Sequence, residues 1–210
     1  MSSLSPSLNV PYFNQWEAPE LAAEIVAKRL SLKDVAQWRA SGAKSQHEFI
    51  EWASHVCGMC CLKMALAATR DEIIPTLELT RRSLPYGTYV REGDNIRGLI
   101  YSPFVDFVRE EWDIEAQVCV DIDVRDIARE LENKHFFIAS VHPSIRQPAS
   151  SPPKRGGHLV LVSQVEQGVI TFHNPSGDVP ASQSNVRLPL DTFSRFFAGR
   201  GIALIKNTGR

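Results

Sequence analysis

The sequence is short of the features that mark several protein classes. It has only four cysteines in 210 residues: Cys57, Cys60, Cys61 and Cys119. Three fall within one five-residue stretch, too close for a disulfide framework, so reduced thiols in a cytoplasmic setting are expected. No window approaches the ~20 apolar residues needed to cross a bilayer, so no membrane partner is expected. The opening residues have neither a basic start nor an apolar stretch, which argues against a secretory signal. Charge of one sign is also missing, with 23 Lys and Arg against 24 Asp and Glu and a net charge of -1. No basic cluster stands out, so nucleic acid is excluded as an expected partner. Internal repeats, low-complexity tracts and a second Cys-x-x-Cys are all absent. Without that second motif, His55-x-Cys57-x-x-Cys60 is a poor zinc site, and no metal or cofactor is expected.

What is present reads as an ordinary globular chain, 43% apolar and 22% charged, long enough to bury a core. Helical signals dominate the first half. Residues 19–30 carry Pro in the first turn and basic residues in the last. Ser31 resembles an N-cap for a short helix to Ala40, and Ser45 with Glu48 forms a capping-box pattern. Residues 57–68 hold a single charge, Lys63, and a helix apolar nearly all round is a buried one. Residues 75–84 and 103–112 look amphipathic, and Asp123 resembles a cap for a helix to about Asn133. Strand-like runs follow at 114–120, 135–141, 158–165, 168–174 and 201–206, with residues 8–16 extended, a short helix at 190–197 and a Pro-rich loop at 143–157. This segregation predicts an α+β fold. One domain over 1–210 is expected, mainly helical over 1–112 and mainly β over 113–210.

Cys57 opens the buried helix and is followed by Gly58. Free N–H groups and partial positive charge at a helix N-terminus stabilise a thiolate and lower its pKa. The same groups can hold an oxyanion. Gly58, beside the thiol, and Gly157, beside His158, are the expected points of close substrate approach. Cys60 and Cys61 read as small buried hydrophobes, the more common fate of a helix cysteine. Cys57 and Cys60 could also form a redox pair.

His158 begins an apolar strand after Gly156-Gly157. If the following hairpin turns on a three-residue loop, His158 lies opposite Asn174, close enough for the amide oxygen to orient the imidazole. A two-residue turn would shift the register by one and spoil the pairing. His173 is then the reserve candidate, and Asn174 reads as a turn residue. Cys on an early helix with His and Asn on later strands is the chain order of papain-type sites.

Four segments carry a family resemblance. Val10-Pro11-Tyr12-Phe13-Asn14-Gln15, Cys57-Gly58 with Leu62, Met64 and Leu66, Gly157-His158 and its apolar strand, and Asn174-Pro175-Ser176-Gly177 occur in that order. Together they resemble the C39-like peptidases (the C39_2 group). The resemblance implies a papain-like fold, cysteine peptidase activity on a peptide or protein substrate, and an oxyanion role for Gln15. About forty residues separate Gln15 from Cys57, so an inserted region over 17–50 is expected, and Gln46 becomes a rival for the oxyanion role. Asn174 stands where many relatives have Asp. A papain-like acyltransferase or amidase, and an inactive peptide-binding module, are the alternatives.

Overall fold

A computed structural model describes residues 9–205 except Asp94 and Asn133. Leu8, Asn133 and Lys206, end points of three expected elements, lie outside the described residues. The first helical region is more broken than its composition suggests. Helix α1 covers only Ala22–Val26, after a 3-10 turn at Pro19–Leu21. Lys28 takes a left-handed conformation (φ 58°), and the Arg29 N–H closes on the Glu24 carbonyl at 2.9 Å. That closure caps the helix early. Residues 31–41 form two 3-10 turns, and Ser31 makes no side-chain cap. Helix α2 (Gln46–Trp52) starts as expected, with Ser45 Oγ accepting from the Glu48 N–H at 3.1 Å. The Glu48 carboxylate turns instead to the Lys44 N–H at 2.5 Å.

Helix α3 (Cys57–Arg70) is the buried helix expected from its composition. Met59, Leu62, Met64 and Leu66 are fully buried, each stabilising the fold by about 1.5–3 kcal/mol relative to exposure. Lys63 is buried with them at 3% exposure. Its ammonium meets both Glu17 oxygens at 3.1 and 3.3 Å and lies 4.3 Å from the Phe13 ring centre. Thr76 donates to the same carboxylate at 3.2 Å. Helix α4 (Thr76–Ser83) and helix α5 (Tyr101–Trp112) complete the helical layer. In α5, Phe104, Phe107, Val108 and Trp112 are buried at helical spacing.

Strands β1 (Val90–Glu92) and β2 (Asn95–Arg97) form a small antiparallel hairpin not evident from sequence. The main sheet contains β3 (Ala116–Cys119), β4 (Lys134–Val141), β5 (His158–Glu166), β6 (Val169–His173), β7 (Val186–Pro189) and β8 (Phe197–Ile205). Its order is β3-β8-β4-β5-β6-β7, and every neighbouring pair is antiparallel. Short helices α6 (Asp126–Leu131), α7 (Pro180–Gln183) and α8 (Leu190–Ser194) lie between strands in the chain. The central strand β4 is apolar over Phe136–Ala139 because both faces are covered there. Phe136 and Ile138 join the core shared with α3 and α5, while Phe137, Ala139 and Val141 join a second core with Phe172 and Phe193.

Candidate active site

The helix tip and the sheet meet at Gly58. A Cβ there would lie 2.7 Å from Leu99 Cδ2 and 2.8 Å from Leu159 Cδ1. Glycine therefore lets the N-terminus of α3 approach the start of β5. Gly58 is buried under those two side chains and does not line the cavity described next, so its missing Cβ makes room for packing. Gly157 differs. Its φ is 97°, nothing occupies the space a Cβ would fill, and it lines an open cavity.

That cavity, about 420 Å³, is lined by Cys57 and His158 together, with Leu99, Tyr101 and Ser140 among its walls. Cys57 is the first residue of α3, whose N-cap, Val56, contributes no side-chain cap. The sulfur interacts instead with the backbone N–H groups of Leu159, Gly58 and Cys57 itself. Even so, the thiol pKa is raised, because burial outweighs those N–H groups and the nearby Arg146 charge. The expected depression by the helix terminus is present as a contribution but does not win. His158 is 6% exposed, and its pKa is driven down to about 3 by burial and by the Arg146 charge, against the stabilising bond to Asn174. Burial thus favours the neutral form of both the thiol and the imidazole.

His158 Nε2 lies 2.8 Å from Asn174 Oδ1. An amide oxygen only accepts, so Nε2 carries the proton and Nδ1 is the basic nitrogen. The route to this contact corrects the expected register. The β5–β6 turn is a two-residue one, Gln167-Gly168, with positive φ at both residues and Glu166 opposite Val169. A bulge between Val162 and Gln164 then restores the parity that the shorter turn removes, and Leu161 faces His173. Continued, that register sets Asn174 beside Val160, so it reaches His158 diagonally from just beyond β6.

Asn174 is held on several sides. Its N–H donates to the Gln183 carbonyl at 2.8 Å, and its carbonyl accepts from the Tyr12 hydroxyl at 2.9 Å. Its Oδ1 accepts from the Ser176 N–H at 3.1 Å, while its buried Nδ2 has no partner. Two further residues complete the group and escaped sequence reasoning. Ser176 Oγ lies 2.9 Å from His158 Nε2 and 3.3 Å from Asn174 Oδ1. Arg146, positioned by a 3-10 turn at Pro143–Arg146, donates to Ser176 Oγ at 2.6 Å and to the Ser176 carbonyl at 2.5 Å. The Asn-Pro-Ser-Gly motif held the signal for Ser176. A loop arginine offers none.

Gln15 is 4% exposed. Its N–H donates to the Pro175 carbonyl at 2.9 Å and its Nε2 to the Ala53 carbonyl at 3.1 Å, while Oε1 is buried without a partner. It thus ties the Asn174-Pro175 segment to the turn that precedes Cys57, although it does not line the cavity. Gln46 is exposed and donates to the Lys33 carbonyl at 2.7 Å. His173 donates to the Val10 carbonyl at 2.9 Å and accepts from the Asn185 N–H at 2.8 Å, which makes it structural. Cys60 and Cys61 are buried, with Cys60 donating to the Phe13 carbonyl at 3.2 Å. Among the described residues no three or more ligand-type side chains converge as a metal site would require. No helix among them is long and apolar enough to cross a membrane.

No protein-family model matches the sequence, and no curated protein matches it. The structure is similar to the peptidase domain of Streptococcus ComA, a bifunctional ABC transporter involved in a quorum-sensing pathway. The TM-score is 0.51 at 16% identity, covering 73% of this chain and 93% of that one. The fold is that of this peptidase domain. A double-glycine motif protease from an AMS/PCAT transporter, solved in complex with the leader peptide, also matches, at TM-score 0.46 and 16% identity over 71% of this chain and 84% of that one. The α+β papain-like architecture expected from the sequence is therefore the one found.

Proposed function

We propose that the protein is a cysteine peptidase that cleaves peptide bonds through a thioester on Cys57. The observation that carries this reading is the shared cavity, in which the Cys57 thiol and a His158 imidazole oriented by Asn174 line one wall. With Nε2–H bonded to Asn174, Nδ1 is the nitrogen available to take the thiol proton as the sulfur attacks the carbonyl. The same nitrogen then returns that proton to the leaving amine, and water releases the acyl group by the reverse steps. Both groups are neutral before substrate arrives, so proton transfer accompanies attack. The N–H groups at the tip of α3 supply part of the oxyanion site. Gln15 is the proposed side-chain donor, through the second N–H of its amide. Ser176 and Arg146 act as positioning residues, fixing the Asn174 oxygen and the imidazole plane. Gly157 leaves an open wall along which a peptide can lie. Residues 17–50 are read as an insertion into one papain-like domain that works in the cytoplasm.

A second reading, a peptide-binding module without turnover, is favoured by one observation: the Gln15 amide is engaged with Ala53. Transfer of the acyl group to an amine instead of water uses the same residues. The test is cleavage of a peptide mixture by the wild type and by Cys57→Ala, with iodoacetamide labelling mapped by mass spectrometry. Cleavage lost in Cys57→Ala, and labelling concentrated at Cys57, are the expected results. An inert Cys57 with labelling at Cys60 or Cys119 would remove the mechanism.

A further inference from the structure

The cavity that holds Cys57 and His158 carries formal charge of one sign only. Its lining includes two arginines, Arg97 and Arg200, and no aspartate or glutamate, in a chain with nearly equal numbers of basic and acidic residues. Arg97 ends strand β2 and enters the cavity wall beside Gly98 and Leu99. The acidic side chain paired with it, Glu92, is 3.7 Å away, and both are largely exposed. Such a contact is worth little in water and is readily exchanged. Arg200 lies on β8, exposed, with its guanidinium close to the Tyr101 hydroxyl, and both residues line the cavity. Its Nη2 and the Ser140 hydroxyl converge on Gly156, each 3.3 Å from where a Cβ would sit. No carboxylate among the described residues pairs with Arg200. A guanidinium offers donors in a planar fork that fits a carboxylate. The remaining wall, from Leu99, Ile100 and Leu159, suits an aliphatic stem.

We propose that this cavity selects a substrate whose carboxylate occupies the same cavity as the bond that Cys57 attacks, bound by Arg97 and Arg200. The proposal rests on the reading of Cys57 as nucleophile. The carboxylate belongs either to an Asp or Glu side chain or to the peptide's own C-terminus, which present the same chemistry to the arginines.

The test compares alkylation of Cys57 by iodoacetate, an anion, with alkylation by iodoacetamide, its neutral counterpart. Both rates are measured on one protein by peptide mass spectrometry, so the thiolate fraction cancels in their ratio. Relative to the chain unfolded in urea, the folded wild type favours iodoacetate by about tenfold at low salt. The preference falls about threefold in Arg97→Gln and in Arg200→Gln, and it shrinks in the wild type as salt is added. A ratio equal to that of the unfolded chain, unmoved by salt or by either substitution, overturns the proposal. If Cys57 resists both reagents, the nucleophile reading fails instead, and the subsite is judged by fluorescent peptides bound to Cys57→Ala protein. Peptides ending in Glu-amide, in Gln with a free C-terminus and in Gln-amide separate the two sources. Tighter binding of the first assigns the side chain, tighter binding of the second assigns the terminus, and equal affinity for all three overturns the subsite.

Discussion

Replacing Asn174 by Asp changes one group of the site in a direction its surroundings make calculable. The two side chains have the same shape. Oδ1 keeps its contacts to His158 Nε2 at 2.8 Å and to the Ser176 N–H at 3.1 Å. Nδ2 is buried without a partner, so converting it to oxygen breaks no hydrogen bond. What changes is charge. His158 sits at about pKa 3 because burial and Arg146 both disfavour the imidazolium. A carboxylate in contact raises a histidine pKa by about 1–3 units. Part of that gain is lost to burying the new carboxylate, and the Arg146 guanidinium, bonded to Ser176 Oγ at 2.6 Å, offsets part of the loss. The lower end, about one unit or ~1.4 kcal/mol, is the expected net effect. Alkylation of Cys57 by iodoacetamide, followed by mass spectrometry between pH 5 and 8, reads it. At pH 6 the rate should rise about tenfold, and the acid limb of the profile should move accordingly. An unchanged or slower rate in a variant with native near-UV circular dichroism would refute the reasoning, because His158 would then not communicate with the thiol.

Three further outcomes follow from the same geometry. Neutral burial of His158, with a folded pKa near 3 against an unfolded value of ~6.5, means that the unfolded chain takes up a proton first as pH falls. Stability is therefore full above pH ~6.5 and declines towards pH 3. Urea unfolding at pH 5 should show about 2 kcal/mol less stability from this group than at pH 8, a loss absent in His158→Gln. The Lys63–Glu17 pair is buried on both sides. Lys63→Ala leaves Glu17 uncompensated and should cost about 3–5 kcal/mol in urea unfolding. Glu17→Gln with Lys63→Met should recover most of that loss, and an equal loss in the double variant would contradict the pairing. Gln15→Ala should lower kcat of peptide cleavage by about 10²–10³, whereas Gln46→Ala, exposed and remote from the cavity, should leave it unchanged. The reverse pattern in steady-state kinetics would reassign the oxyanion donor.

The position of Cys57 is legible in the sequence because an apolar run opening on Cys57-Gly58 has few readings other than the tip of a buried helix. His158 is legible as the first residue of an apolar strand. The contact between His158 and Asn174 is legible only by compensation. The expected three-residue loop is in fact two residues, and the bulge at Ser163 that restores parity leaves no mark in a run as regular as His158–Glu166. The α+β division is plain from where helical and alternating patterns fall. Helix α1 stops short because Lys28 adopts a left-handed conformation, which a Lys-Arg pair does not announce. The β1–β2 hairpin is two three-residue strands, mostly exposed and without apolar alternation. Arg146 and Ser176 come from separate loops, and their meeting depends on tertiary structure alone.

The most direct test compares the pH dependence of Cys57 alkylation in the wild type and in His158→Ala. A shared acid–base pair requires that the variant react at least tenfold more slowly at neutral pH, with a profile reduced to one thiol ionisation above the ordinary cysteine range. Superimposable profiles would mean that the sulfur and the imidazole act independently, and the peptidase mechanism would be lost.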